Sequence, residues 1–167
     1  MDNQQGKLES RLHWLGGFWD GEGTVTLNYR HTWRGRYSAL TPNLSIVNTN
    51  KTMIDEVADI FDQCSVPYYR QYWDNAKNPK HRPRHSIIIA GMKRCSKALP
   101  FLIPYLVGKR EKATKLQQFV EFRLSRPYQA PYTEYEVGLA SEIREGRFDS
   151  KSLIDYMPGA AVEAVKV

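Results

Sequence analysis

The chain has few of the external staples that hold small proteins together. Its 167 residues contain two cysteines, Cys64 and Cys95, too few for a disulfide framework. Its four histidines (His13, His31, His81, His85) are scattered and lack zinc-ligand spacing. No apolar run approaches the ~20 residues that a membrane-spanning helix needs. The N-terminal segment MDNQQGKLESR has no apolar signal core, and there is no repeat or low-complexity tract. These absences point to an intracellular protein whose stability must come from packing. The expected organisation is one domain over residues 1–147 and a tail over 148–167.

Acidic residues are scarce in two stretches. Residues 68–97 hold eight basic residues and one acid, Asp74, and residues 23–49 hold Arg30, Arg34 and Arg36 with no acid. These stretches exceed the net charge of +6, so the rest of the chain is acidic. A basic excess confined to particular elements suggests an anionic partner. Aromatics interleave with the cations (Tyr29, Trp33, Tyr37, Tyr68, Tyr69, Tyr72, Trp73), a mixture that suits nucleic acid better than a membrane surface.

Hydrophobic spacing orders the elements. Leu8, Leu12, Leu15 and Trp19 recur at helical period over residues 8–20. Segments 23–34 and 36–48 read as a long strand hairpin turning near Gly35. Ile54, Val57, Ala58, Phe61 and Cys64 form one stripe of a helix over 51–64, which Asn50 or Thr52 can cap. A second strand pair is expected at 66–73 and 84–90. Helical segments follow from Met92, disturbed at Pro100, and from Lys109 to Arg126. Thr133 and Glu136 have the spacing of a capping box that opens one more short helix. The order αββαββα predicts an α+β fold with a basic antiparallel sheet face left free.

The segment Leu15-Gly16-Gly17-Phe18-Trp19-Asp20-Gly21-Glu22-Gly23 carries the most information. Adjacent glycines inside a helix cost about 1 kcal/mol each relative to alanine. Close approach of another backbone would offset that, so Gly16 and Gly17 suggest a helix–helix contact. Two carboxylates at a helix C-terminus lie at the unfavourable end of its dipole, where a cation would be welcome. The same residues also suit a tight acidic turn.

Position for position, this segment resembles the LAGLIDADG motif of homing endonucleases, with Gly for Ala at 16 and Glu for Asp at 22. Residues 8–126 follow that family's element order. The resemblance implies a site-specific, intron-encoded endonuclease that uses a divalent metal to hydrolyse both strands of a long pseudo-palindromic duplex. A single motif implies a homodimer, with Leu12, Gly16 and Gly17 at the interface. Glu22 and the carbonyl of Gly21 are then the expected metal ligands, for Mg²⁺ with Mn²⁺ able to substitute and Ca²⁺ supporting binding without cleavage. Asp20 is expected to brace the turn. Lys109, with Arg110 as competitor, matches a lysine that polarises water or phosphate. Asn48 matches an amide near the attacking water and is favoured over Asn50, a candidate cap of the next helix.

The resemblance also assigns the sheet to DNA. Thr24, Thr26, Asn28, Arg30 and Thr32 share one face of their strand, with Arg34 at the turn beyond. Tyr68, Arg70 and Tyr72 share a face of the later strand, with Arg70 at a base-contacting position. Lys77, Lys80, Arg82 and Arg84 are expected to touch phosphates. The competing readings are a cleavage-deficient DNA-binding or RNA-splicing maturase on the same fold, and a plain RNA-binding protein. The last leaves the double glycine and the Asp-Gly-Glu-Gly turn without a purpose.

Overall fold

A computed structural model describes residues 2–31, 38–74, 82–128 and 130–145. The elements are α1 (Asp2–Glu22), β1 (Gly23–His31), β2 (Ser38–Asn48), α2 (Lys51–Gln63), β3 (Tyr69–Trp73), β4 (Arg84–Ala90), α3 (Met92–Leu102), α4 (Arg110–Leu124) and α5 (Glu134–Ile143). A 3-10 turn, Ile103–Tyr105, follows α3. The expected αββαββα order is therefore present, followed by the two further helices that the sequence also indicated, α4 and α5. The first helix is longer than its apolar period indicated. The tail over 148–167 lies outside the described residues.

The strands form one antiparallel sheet in the order β1-β2-β4-β3. Alternation divides it cleanly in three strands. Val25 and Leu27 of β1, Leu40, Leu44 and Ile46 of β2, and Ile87 and Ile89 of β4 are buried in one core. The helices supply the opposing residues: Leu12, Leu15 and Trp19 from α1, Val57 and Phe61 from α2, Leu99 from α3 and Leu116 and Phe119 from α4. Burial of these side chains is the main stabilising term, about 1.5–3 kcal/mol for each large one. Thr24, Thr26 and Asn28 lie on the other phase of β1, away from this core.

Local chemistry sets the ends. Asn50 caps α2 by accepting from the Thr52 N–H at 3.0 Å. Gly91 takes φ +92° between β4 and α3, a conformation that L side chains rarely adopt. Its N–H donates to the Pro42 carbonyl at 3.0 Å. Pro42 is tolerated inside β2 because pairing with β4 begins only at Asn43. Further along β2, the Leu40 N–H donates to the Tyr132 hydroxyl at 2.9 Å.

Residues beyond 126 complete the core. Val137, Leu139, Ala140 and Ile143 of α5 are buried, and the Arg144 guanidinium donates to the Leu27 carbonyl of edge strand β1 at 2.7 Å. The Thr133–Glu136 capping box is formed as the spacing predicts. Glu136 is fully buried, yet Arg123 and Arg126 lie 3.3 and 2.7 Å from its two oxygens. Those partners compensate a carboxylate that burial alone would penalise.

Candidate active site and nucleic-acid interface

The glycines of the first helix and of its junction with β1 have different tasks. A Cβ on Gly16 would overlap the backbone carbonyl of Tyr105, so this glycine admits the 3-10 turn of its own chain. A Cβ on Gly23 would strike the Trp19 ring, which is fully buried and packs edge-on against Phe61 at 6.0 Å. Gly17 and Gly21 face open space. This corrects the expected interface set: Leu12 and Gly16 are buried within one chain, and of the three residues only Gly17 faces outward. The sequence signalled that a backbone must approach Gly16 but not which one.

The turn after Gly17 is tied to the start of α4. Oδ2 of Asp20 accepts from the N–H groups of Val107 (2.6 Å) and Gly108 (3.0 Å), and Oδ1 from that of Lys109 (2.8 Å). Burial works to raise the Asp20 carboxyl, but these three bonds and the Lys109 charge outweigh it and hold it below the ordinary carboxylate range. The bracing role expected for Asp20 is thus seen directly. In return, the Lys109 ammonium donates to the carbonyls of Trp19, at 3.0 Å, and Asp20. These carbonyls belong to the last turn of α1, where helical partners run out and a cation is favourable.

The structure separates Lys109 from its competitor. Arg110 turns away and donates to the carbonyls of Leu106 (2.6 Å) and Pro104 (3.2 Å). Gly21 and Glu22 are exposed immediately beyond the Lys109 ammonium's carbonyl partners. Register pairs Gly23 with Ile46, which brings the end of α1 beside the Val47–Asn48 end of β2. Asn48 reaches that end, and its amide oxygen accepts from the Asn50 N–H at 2.8 Å. Glu22, Gly21, Lys109 and Asn48 therefore gather around one junction of α1, β1, β2 and α4. One chain supplies one exposed carboxylate there, and no cluster of three His, Cys, Asp or Glu able to hold a metal occurs among the described residues. Glu22 and the Gly21 carbonyl of one chain supply fewer oxygen ligands than an oxygen-ligand cation takes.

The sheet's uncovered face differs from the expected one on β3. Thr24 pairs with Ser45, Ser45 with Ile88, and Ile88 with Tyr69, so these four residues form one row across the sheet. Val47, Ser86 and Gln71 form the next, and Arg84 and Trp73 another. Thr24, Thr26 and Asn28 are on this open side as expected. Tyr68, Arg70 and Tyr72 are not. The Tyr68 hydroxyl donates to Asp62 of α2 at 3.0 Å, Arg70 pairs with Asp55 of α2, and Tyr72 packs against His85 at 5.0 Å. All five residues of β3 are exposed, so its sequence has no apolar alternation to reveal its phase. Tyr69, Gln71 and Trp73 are the outward residues; the sequence counts Tyr69 and Trp73 among its aromatics without assigning them a face and gives no sign of Gln71, and only pairing with β4 identifies the phase.

Other basic positions are distributed as follows. Arg84 is exposed on the open face, and Arg82 lines a surface depression with Thr49, Asn50, Tyr72, Pro83 and His85. The backbone of Arg30 is paired with Ala39 in the hairpin. The Arg30 side chain, Thr32, Arg34, Lys77 and Lys80 lie outside the described residues. No described helix is long and apolar enough to cross a membrane.

Comparison with known proteins places this geometry. No protein-family model and no curated protein matches the sequence. Solved structures do match. The homing endonuclease I-CvuI, in complex with its target in the presence of Ca, superposes with a TM-score of 0.69 at 16% identity, over 89% of this chain and 93% of that one. The archaeal intron-encoded homing endonuclease I-Vdi141I, complexed with DNA, gives 0.65 at 13% identity, over 89% and 95%. The LAGLIDADG homing endonuclease I-GzeII, in complex with its DNA target, gives 0.57 at 14% identity, and the match spans 87% of this chain but 48% of that one. The chain has the LAGLIDADG homing-endonuclease fold. It corresponds to nearly the whole of the first two enzymes and to about half of the third.

Proposed function

We propose that this chain is an intron-encoded homing endonuclease that works as a homodimer and hydrolyses both strands of a long, pseudo-palindromic duplex DNA. One observation carries the reading: Lys109 is bound to the carbonyls that lead directly into Gly21 and Glu22. A structural lysine has no need of an exposed acid beside it, whereas phosphodiester hydrolysis needs both a ligand for a cation and a donor for phosphate.

The outward stripe Trp14, Gly17 and Gly21 of α1 supports pairing with a second copy. Small residues let two helix backbones approach, and a two-fold axis would bring two Glu22 carboxylates together. Glu22 and the Gly21 carbonyl of each copy would hold Mg²⁺ or Mn²⁺. When bound, such a cation supplies Lewis-acid stabilisation and lowers the pKa of water. Lys109 can donate to a phosphate oxygen as negative charge accumulates, and Asn48 can orient a water through its amide. Thr24, Thr26 and Asn28 on the open face can reach base edges in a major groove, while Arg84 and Arg82 suit phosphates. Tyr69, Gln71 and Trp73 replace Tyr68, Arg70 and Tyr72 in this reading.

The test is selection of cleaved sites from a random duplex library in Mg²⁺, followed by Glu22→Gln on the selected site. The variant should bind that DNA in Ca²⁺ and fail to cut it in Mg²⁺. Full cleavage by the variant removes Glu22 from the site. A wild type that binds a defined duplex but leaves it intact indicates a DNA-binding or maturase function instead.

A further inference from the structure

We infer that Asp20 is a positioning residue for Lys109, the two forming a reciprocal clamp that fixes the lysine ammonium at the end of α1. The inference rests on the nuclease reading and adds a residue to its machinery. Asp20 is the motif acid to which that reading gives no ligand role. Its carboxylate instead engages three consecutive backbone donors, Val107, Gly108 and Lys109. Such a run of N–H groups forms a concave anion seat. Filling it from α1 fixes the backbone of Lys109 relative to the helix that presents Glu22.

The side chain of Lys109 then closes the loop. A lysine ammonium has three donors on a flexible stem. Here two of them engage the Trp19 and Asp20 carbonyls. The third is the one that can serve a phosphate oxygen beyond Gly21 and Glu22. Asp20 acts at both ends of the clamp: its carboxylate seats the Lys109 backbone, and its own carbonyl receives the Lys109 ammonium. Losing the carboxylate should free the loop and let the ammonium wander. A purely structural staple would make a different prediction, since its loss would weaken the fold and DNA binding together without passing through Lys109.

A double-mutant cycle separates these alternatives. Asp20→Asn keeps the size but places an amide group among N–H donors. On a site selected with the wild type, this variant should cut about tenfold to a hundredfold more slowly in single turnover, the scale set by a misplaced catalytic group. Its affinity for the same DNA in Ca²⁺ should be unchanged. Lys109→Met should be slower still, and the double variant no slower than Lys109→Met alone. Additive losses, or a loss expressed in affinity instead of rate, overturn the inference. Asp20→Ala, which removes every acceptor from the loop, should be at least as slow as Asp20→Asn, whose amide oxygen still accepts; an Asp20→Ala rate close to wild type counts against the clamp.

A second measurement needs no DNA. Acetic anhydride labelling, read by mass spectrometry on the folded chain, should modify Lys109 several-fold faster in Asp20→Asn than in wild type, with Lys51 unchanged as control. Equal Lys109 rates overturn the clamp. A wild type that cuts no DNA at all defeats the nuclease reading, while the labelling ratio still decides whether Asp20 holds Lys109.

Discussion

Arg70 of β3 is ion-paired with Asp55 of α2, on the side of the sheet that the helices cover. Asp55 also pairs with Lys51 at 2.5 Å, and this bond first, then that of Arg70, holds its carboxyl below the ordinary range. The cation that the sequence offers as a base reader is thus committed to its own chain. The residue that follows it, Gln71, lies on the open face with Val47 and Ser86. A one-residue difference in phase therefore changes which side chains can meet a duplex.

Gln71→Ala should relax preference at one base pair in each half-site, equally in both because a homodimer is two-fold symmetric. An amide that pairs with an adenine edge contributes about 1–3 kcal/mol of discrimination. Arg70→Ala should leave base preferences intact and alter stability little, exposed ion pairs being weak. Affinity across single-base variants of a selected site measures both. Unchanged preferences in Gln71→Ala, with relaxed ones in Arg70→Ala, would restore the phase read from sequence.

The contrast between strands explains what sequence could reveal. In β1, Val25 and Leu27 alternate with Thr24, Thr26 and Asn28 because one face is buried, and the pattern shows it. β3 is an edge strand with nothing buried on either side, so its phase resides in hydrogen bonds to β4 rather than in composition. Asp20 and Lys109 are far apart in sequence, and neither residue type specifies the other. The motif located Asp20, but the three N–H groups that it accepts become visible only when α1 and α4 meet. Gly16 illustrates the same limit: a glycine reveals that space is needed, not that Tyr105 fills it.

Glu136→Ala should be among the costliest single changes in the chain. It removes the carboxylate shared by Arg123, Arg126 and the Thr133 N–H, the last at 2.7 Å, and opens the capping box of α5. Two partly buried guanidinium groups would lose their counter-charge. Breaking such a pair costs on the order of 3 kcal/mol. In a domain of this size each kcal/mol moves the melting temperature by roughly 2–4 °C. A melting temperature within a degree or so of wild type would show that the arginines find other partners.

Asp20 should also leave a trace in the acid limb of stability. Its folded carboxyl titrates below the unfolded value, because backbone bonds and Lys109 outweigh the effect of burial. The charged form therefore stabilises the fold above an unfolded pKa of about 4, and that contribution is lost as pH falls through the depressed value. Asp20→Asn lacks this titration. Its melting temperature should fall less than that of wild type between about pH 5 and pH 3. Parallel slopes for the two proteins would place the acid sensitivity in other carboxylates.

Gly16 and Gly17 should respond in opposite ways although they are neighbours in one helix. Alanine at 16 must push against the Tyr105 backbone, which side-chain rotation cannot relieve. Overpacking of this kind costs about 1–3 kcal/mol, against about 1 kcal/mol regained from helix propensity, so the single chain should be destabilised or at best unchanged. Position 17 meets nothing within its own chain. Leucine there should leave the fold of one chain intact while separating paired helices at the two-fold axis. Sedimentation should show the wild type as a dimer and Gly17→Leu as a folded monomer. A Gly17→Leu protein that remains a dimer and cuts DNA would move the interface away from α1, and with it the pairing of two Glu22 carboxylates.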